Sequence, residues 1–142
     1  ENKMADNEFI GSALYATWIS ASPAGTATLN TEFRNFTYRP SLSFVDATAG
    51  ADANTRRLPH MKDGQLTCSH LMQNDLGSAQ MALLAEGVSG TITWAEYGTA
   101  SGKPKHVMAA ICMGTNITVA YNDVVVLDTT FQQNGARTDS VY

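Results

Sequence analysis

A chain of 142 residues suits one domain, and at that length a layered core buries roughly two thirds of the unfolded surface, so folding requires neither metal nor disulfide. Hydrophobic residues make up 44% and charged residues 15%, with nine Lys+Arg against thirteen Asp+Glu and a formal charge of −4, which excludes the basic footprint of a tight nucleic-acid binder. No stretch approaches the ~18 apolar residues of a membrane-spanning helix, and the first nine residues lack the basic start and apolar core of a signal peptide, with Met4 reading as the natural start.

Residues 1–12 are polar and read as an N-terminal arm. Residues 13–20 are rich in strand formers, and Ser22-Pro23-Ala24-Gly25 reads as a turn. Over residues 26–37, Ala27, Leu29 and Phe33 alternate with Thr28, Asn30, Glu32 and Arg34, the period of a half-buried strand that Arg39-Pro40 ends. Residues 41–45 form another strand, with Leu42 and Phe44 on one face and Ser41 and Ser43 on the other. Residues 46–65 then show no sustained period. A structureless connection of about twenty residues is uncommon in a compact domain and is usually functional, which makes this long loop the first candidate interaction element.

Strand pattern resumes at residues 66–71. Met81, Leu84, Ala85 and Val88 recur at helical spacing, so a helix is expected near residues 76–86, with Asp75 as N-cap and Gly87 past its end. Residues 90–97 alternate as a strand, residues 98–105 form a polar loop, and residues 106–113 are apolar on both faces, the pattern of a strand covered on two sides. Gly114-Thr-Asn116 reads as a turn, residues 117–121 and 124–131 as strands around an Asn122-Asp123 turn, and Asn134-Gly135 as the end of the domain. The expectation is a mainly β fold, a sandwich or barrel of about seven or eight strands with one flanking helix. It occupies residues 13–135, between the arm and a short C-terminal tail, residues 136–142.

Chemistry-bearing patterns are missing. His60, His70 and His106 are too far apart for a helical metal pair. Cys68 and Cys112 lie in apolar runs and read as buried free thiols, a disulfide between them staying open. The stretch around Gly102-Lys103 fails as a phosphate loop because Tyr97 stands where the first glycine belongs and Pro104 where Ser or Thr belongs. Gly87-Val-Ser-Gly90 fails as a nucleophile elbow because Thr91 replaces its last glycine. Asp46, Asp52 and Asp63 do not follow calcium-loop spacing. No catalytic residue, cofactor or metal is expected.

The order of elements from Ser41-Leu-Ser-Phe-Val45 to Asn134-Gly135 resembles the tail tube proteins of long-tailed bacteriophages and their relatives in contractile injection machines. Three stretches carry the resemblance: Asp46-Ala-Thr leading into the long loop, Gln80-Met-Ala-Leu-Leu-Ala-Glu-Gly87 before Gly90-Thr-Ile-Thr-Trp94, and Leu127-Asp-Thr-Thr-Phe131 followed by Gly135. It implies a non-enzymatic virion protein, assembled in the host cytoplasm, whose partners are itself and other tail proteins. Its copies would form stacked hexameric rings around one inner β-barrel, through which DNA passes without specific binding. The long loop would then touch a neighbouring subunit or ring through Asp46, Asp52, Arg56, Arg57, Lys62 and Asp63, with the two arginines as charged anchors. Ser41 and Ser43 would face the lumen. The rival readings are a monomeric sandwich that binds carbohydrate or decorates a virion, with Trp18 and Trp94 as its aromatics, and a small hydrolase.

Overall fold

The computed structural model describes residues 11–30, 33–71 and 81–142. After a single 3-10 turn, Gly11–Ala13, come β1 (Tyr15–Ala21), β2 (Ala24–Thr28), β3 (Phe33–Asp46), β4 (Arg57–Leu71), β5 (Ser89–Ala95), β6 (Pro104–Thr118) and β7 (Val126–Val141). All seven join one antiparallel sheet in the order β2-β1-β5-β6-β7-β4-β3. The mainly β expectation is therefore the observed fold. The expected arm lies almost wholly outside the described residues, as do Asp75 and the first half of the expected helix; residues 81–83 are helical.

The sheet is not flat. β1 and β7 stand three places apart in the order, about 14 Å at normal strand spacing, yet the Trp18 and Phe131 ring centroids lie 4.6 Å apart. β3 and β5 stand four places apart, yet Tyr38 and Trp94 meet at 5.1 Å. The sheet has curled so that its two halves face each other across a core. Along each strand, alternate side chains fill that core: Ala16 and Trp18 from β1, Leu66 and Cys68 from β4, Ile92 and Trp94 from β5, Met108, Ala110 and Cys112 from β6, and Phe131 from β7. Leu84 and Val88 from the connection after residues 81–83 close one side. The indole of Trp18 donates to the Leu83 carbonyl at 2.9 Å, so its polar edge is not stranded in the core. Both cysteines are buried and free, and burial pushes the Cys68 thiol up to about 12.

β6 and β7 make the curl. They pair with each other over their whole lengths, but the register slips between Met108 and Ala110 and between Cys112 and Gly114. Gly114 (φ +112°) and Gly135 (φ +140°) occupy backbone regions that favour glycine. Bulges of this kind bend and twist a strand pair, and here they carry the pair from one half of the sheet to the other. One half is β2-β1-β5 with the Pro104–Ile111 part of β6 and residues 133–141 of β7; the other is β3-β4 with residues 126–132 of β7 and the rest of β6.

Several boundaries differ from the sequence reading. The expected strand 26–37 is two strands, β2 and β3, which lie at opposite edges of the sheet. β3 runs through Arg39-Pro40 to Asp46, and Pro40 is tolerated because β3 is an edge strand. β4 begins at Arg57, so the connection is residues 47–56 and not 46–65. Gly114-Thr-Asn116 is no turn but paired strand, just past a bulge at Met113 inside β6, and Asn134-Gly135 lies in a bulge inside β7. The expected tail, residues 136–142, is strand as far as Val141, paired with β6 from Pro104 to Met108.

Two stability consequences follow from the core. A Cβ on Gly90 would lie 2.3 Å from the Ile19 carbonyl oxygen on the neighbouring strand. Gly90→Ala should lower stability on the order of 1–3 kcal/mol, read as a lower urea midpoint with an unchanged slope. His70 is buried on the core side of β4, and among the described residues neither ring nitrogen has a hydrogen-bond partner of good geometry. Burial lowers its pKa, opposed only in part by the Cys68 backbone and the Asp128 carboxylate. His70 is thus harder to protonate in the fold than in the unfolded chain. Its contribution is full above its ordinary value of about 6.5 and is lost as the pH falls below it. Urea midpoints should therefore drop on acidification, and His70→Leu should make that drop shallower.

Candidate assembly surface

β3 and β4 form a two-stranded hairpin whose inner part belongs to the core and whose outer part does not. β4 leaves β7 at the Gln65–Gln132 pair, while its pairing with β3 continues to Asp46–Arg57. Beyond that point both faces are open: Phe44 is 56%, Leu58 55% and Met61 63% exposed. Ser43 holds the two strands in register where the ladder slips, its hydroxyl accepting from the Met61 N–H at 3.0 Å.

The tip, residues 47–56, is organised by its own polar groups. The Asp46 carboxylate accepts from the Thr48 N–H at 2.9 Å, and its pKa is lowered by hydrogen bonds from the Thr48 side chain and backbone. The Thr48 hydroxyl accepts from the Arg56 N–H at 2.9 Å. Asp52 accepts from the Ala49 N–H at 2.8 Å and faces the Arg56 guanidinium at 3.6 Å. Arg57 stands opposite Asp46 as the first rung of β4. The structure thus brings Asp46, Asp52, Arg56 and Arg57 together at the tip. Lys62 and Asp63 sit apart from them at the hairpin base, opposite Leu42 and Ser41, where Asp63 accepts from the Gln132 side-chain amide at 2.9 Å.

The hairpin base and residues 133–139 of β7 diverge where the β4–β7 ladder stops, leaving an open cleft of about 420 Å³ lined by Tyr38, Leu42, Lys62, Gln133, Arg137 and Asp139, among others. It holds no catalytic pairing of nucleophile and base. Among the described residues no group of three His, Cys, Asp or Glu side chains could hold a metal, and no helix is long and apolar enough to cross a membrane. Trp18 and Trp94, the aromatics a sugar-binding face would present, are buried in the core.

The more informative surface is the outer face of the four-stranded half, β3-β4-β7-β6. Residues opposite each other on antiparallel strands share a face, so the register places three rows there. They are Asn35–Ser69–Asp128–Asn116, then Thr37–Thr67–Thr130–Gly114, then Arg39–Gln65–Gln132. Ser41 and Ser43 continue the β3 column outward from these rows by strand alternation. The face is mostly polar with few charges, and its β6 end adds Ile111, opposite Gln132, and Met113, beside Gln65. Sequence reading found only its two serines; the alternation of Gln65, Thr67 and Ser69 with Leu66, Cys68 and His70 was the signal for the rest. Both edges of this half are unpaired among the described residues: β3 along its length, and β6 from Gly114 to Thr118, where β5 no longer reaches.

No protein-family model matches the sequence, and comparison with curated proteins finds no match. Solved structures do match. A subunit of the SPP1 tail tube is similar with a TM-score of 0.75 at 8% identity, over 95% of this chain and 80% of that one. A chain of the sheath–tube complex of an extracellular contractile injection system, PVC, is similar with a TM-score of 0.67 at 10% identity, over 97% and 95%. A chain from the tail of an empty gene transfer agent particle gives 0.64 at 10% identity, over 89% and 96%. Identities this low speak for the backbone and not for any residue's role, and over nearly its whole length this chain has the fold of the tail tube proteins.

Proposed function

We propose that this protein is a structural, non-enzymatic subunit of a viral tail, which assembles with copies of itself into stacked hexameric rings and so builds a tube for genome delivery. The observation that carries the reading is the four-stranded half-sheet with a hydrated outer face and two open edges. Open edges are templates for further pairing. Closing such sheets edge to edge around a ring removes every edge at once, and a head-to-tail contact that closes needs only one complementary pair of surfaces. Here the pair is the β3 edge of one copy and the Gly114–Thr118 edge of the next. The three polar rows then line the lumen, together with Ser41 and Ser43.

The chemistry of that face suits a conduit. Arg39, Asp63 and Asp128 are scattered among its amides and hydroxyls, and Glu86 borders it beside Gly114. A lumen rich in Lys and Arg would hold DNA through counterion release, whereas this one lets it pass without specific binding. The outer hairpin reaches beyond the ring and supplies the contact to the next one. Its exposed Phe44, Leu58 and Met61 provide apolar area, and Arg56 and Arg57 provide charge. The Asp52–Arg56 pair is a surface pair, worth about 0–1 kcal/mol, so Arg56 is free to exchange it for an acidic residue on a neighbour. Other tail proteins would cap the stack at its ends, placing the protein in the virion after assembly in the host cytoplasm.

Cysteine pairing tests the edge contact directly. Thr37 and Asn116 stand on opposite edges of the half-sheet, three strand spacings or about 14 Å apart, too far to bridge within one copy. A Thr37→Cys, Asn116→Cys variant should therefore oxidise to covalent multimers, scored on denaturing gels with Asn35→Cys and Arg39→Cys as alternative registers, while negative-stain images of the wild type show rings or tubes. Strictly monomeric particles at all salt and protein concentrations, with no crosslinking at any register, would overturn the proposal. Replacing Arg56 and Arg57 together with Ala should leave a folded monomer and suppress stacking into tubes; tubes of normal length from that variant would remove the arginines from the contact.

A further inference from the structure

One cluster of titratable groups lies off the polar outer face, beside the cleft that Tyr38, Arg137 and Asp139 line. His106, on β6, lies between two carboxylates. Its Nε2 is 2.7 Å from Glu96 Oε1, and its Nδ1 is 2.7 Å from Asp139 Oδ1 on β7. Asp139 also takes the Arg137 guanidinium at 3.1 Å. The imidazole stacks on Trp94 of β5, with centroids 5.2 Å apart and planes 26° from parallel. Trp94 in turn meets Tyr38 of β3. Arg137 lies over the other contact of that chain, its guanidinium 5.0 Å from the Tyr38 ring, and the Tyr38 hydroxyl reaches Gln133 of β7 at 3.2 Å. Thus β3, β5, β6 and β7 all contribute, and the group sits at the seam where the β4–β7 ladder has ended.

Hydrogen-bond stoichiometry fixes what this arrangement needs. A neutral imidazole has one N–H and one acceptor nitrogen; only the imidazolium donates from both. Ionised carboxylates only accept, so two of them at hydrogen-bond distance from both nitrogens call for the doubly protonated ring. The charge balance agrees: His106 and Arg137 face Glu96 and Asp139, and Lys105, the adjacent cation on β6, is directed at the Tyr142 ring. Glu96 Oε2 is shielded from solvent and has no hydrogen-bond partner among the described residues. That is a costly position for a carboxylate unless a cation lies beside it.

We propose that His106 is a protonation latch: as imidazolium it ties residues 137–141 of β7 to β6 and to the turn after β5, and loss of its proton to solvent releases that segment. The closed latch occupies a window of pH. On the acid side it opens as Asp139 protonates, and that happens below the ordinary carboxylate range, because the His106 hydrogen bond lowers the Asp139 pKa and Arg137 adds to the effect against partial desolvation. A ring with a single N–H cannot serve both carboxylates, so the latch is open wherever the imidazole is neutral. Nothing in this inference depends on the tube reading, since every group belongs to one chain.

The test is nitrogen NMR of the histidine-labelled protein, paired with amide hydrogen exchange across a pH series. At the acid end of the window both His106 ring nitrogens should resonate as N–H. The amides of residues 137–141 should lose protection by roughly tenfold or more, the scale of one charge-assisted hydrogen bond, at the same midpoint as the ring titration. Core amides of β4 should not follow it. His106→Gln, which keeps one donor and cannot titrate, should hold these amides at a pH-independent level, and Asp139→Asn should abolish the step while leaving the fold intact. A neutral His106 across the whole range, with Glu96 carrying the proton, would overturn the latch. So would β7 protection that ignores the His106 midpoint, which the wild-type series decides alone should either variant fail to fold.

Discussion

Because β6 and β7 stay hydrogen-bonded to each other from the Pro104–Val141 pair to the Thr118–Val126 pair, the two halves of the sheet cannot separate without breaking that ladder or straightening its bulges. Everything else in the molecule leans on this pair. The bulges bring Trp18 over Phe131 and Tyr38 over Trp94, and those contacts make one sheet behave as two layers. A flat sheet of the same strands would expose one complete apolar face. Bending it through two strands solves the burial problem without an inter-sheet connection, and it leaves the four-stranded half with its own outer face and its own edges.

That origin explains which parts of the fold were legible. Strands with one buried face announced themselves by alternation, as in Ile92-Thr-Trp94 and Leu66-Thr-Cys68-Ser-His70. The outer hairpin did not, because alternation records a difference between two faces, and residues 57–63 have none: both faces meet solvent. Reading residues 46–65 as a loop followed from that silence. The glycines misled in a different way. A glycine at positive φ ends a strand when it forms a turn and bends one when it forms a bulge, and the local sequence at Gly114 or Gly135 is the same in both cases. The partner strand decides, and the partner is distant in sequence.

The candidate site was legible in the same measure. Ser41 and Ser43 pointed to a hydrated face because they alternate with Leu42 and Phe44. The rest of that face comes from four strands spread between Asn35 and Gln132, and only the register collects them into rows. The charged residues of the tip were identified as a group, yet both carboxylates already accept hydrogen bonds inside the tip, Asp46 from the Thr48 N–H and Asp52 from the Ala49 N–H. Sequence gives the presence of a charge and not the partner it already has.

The hairpin presents the strongest physical argument that this chain is built for company. An isolated two-stranded hairpin is marginal in water, and this one carries Leu42, Phe44, Val45, Leu58 and Met61 in the open. Within one copy, its outer half gains little beyond the β3–β4 ladder and the clasp between Ser43 and Met61. An exposed edge flanked by apolar side chains is also what uncontrolled strand pairing requires. Pro40, Lys62 and the bulge at Ser43 interrupt that edge, so the defence against promiscuous pairing lies on the same strands as the apolar area. A surface that is both sticky and guarded fits a contact reserved for one partner in one register, and a repeating copy of the chain meets that condition with no further sequence to specify it.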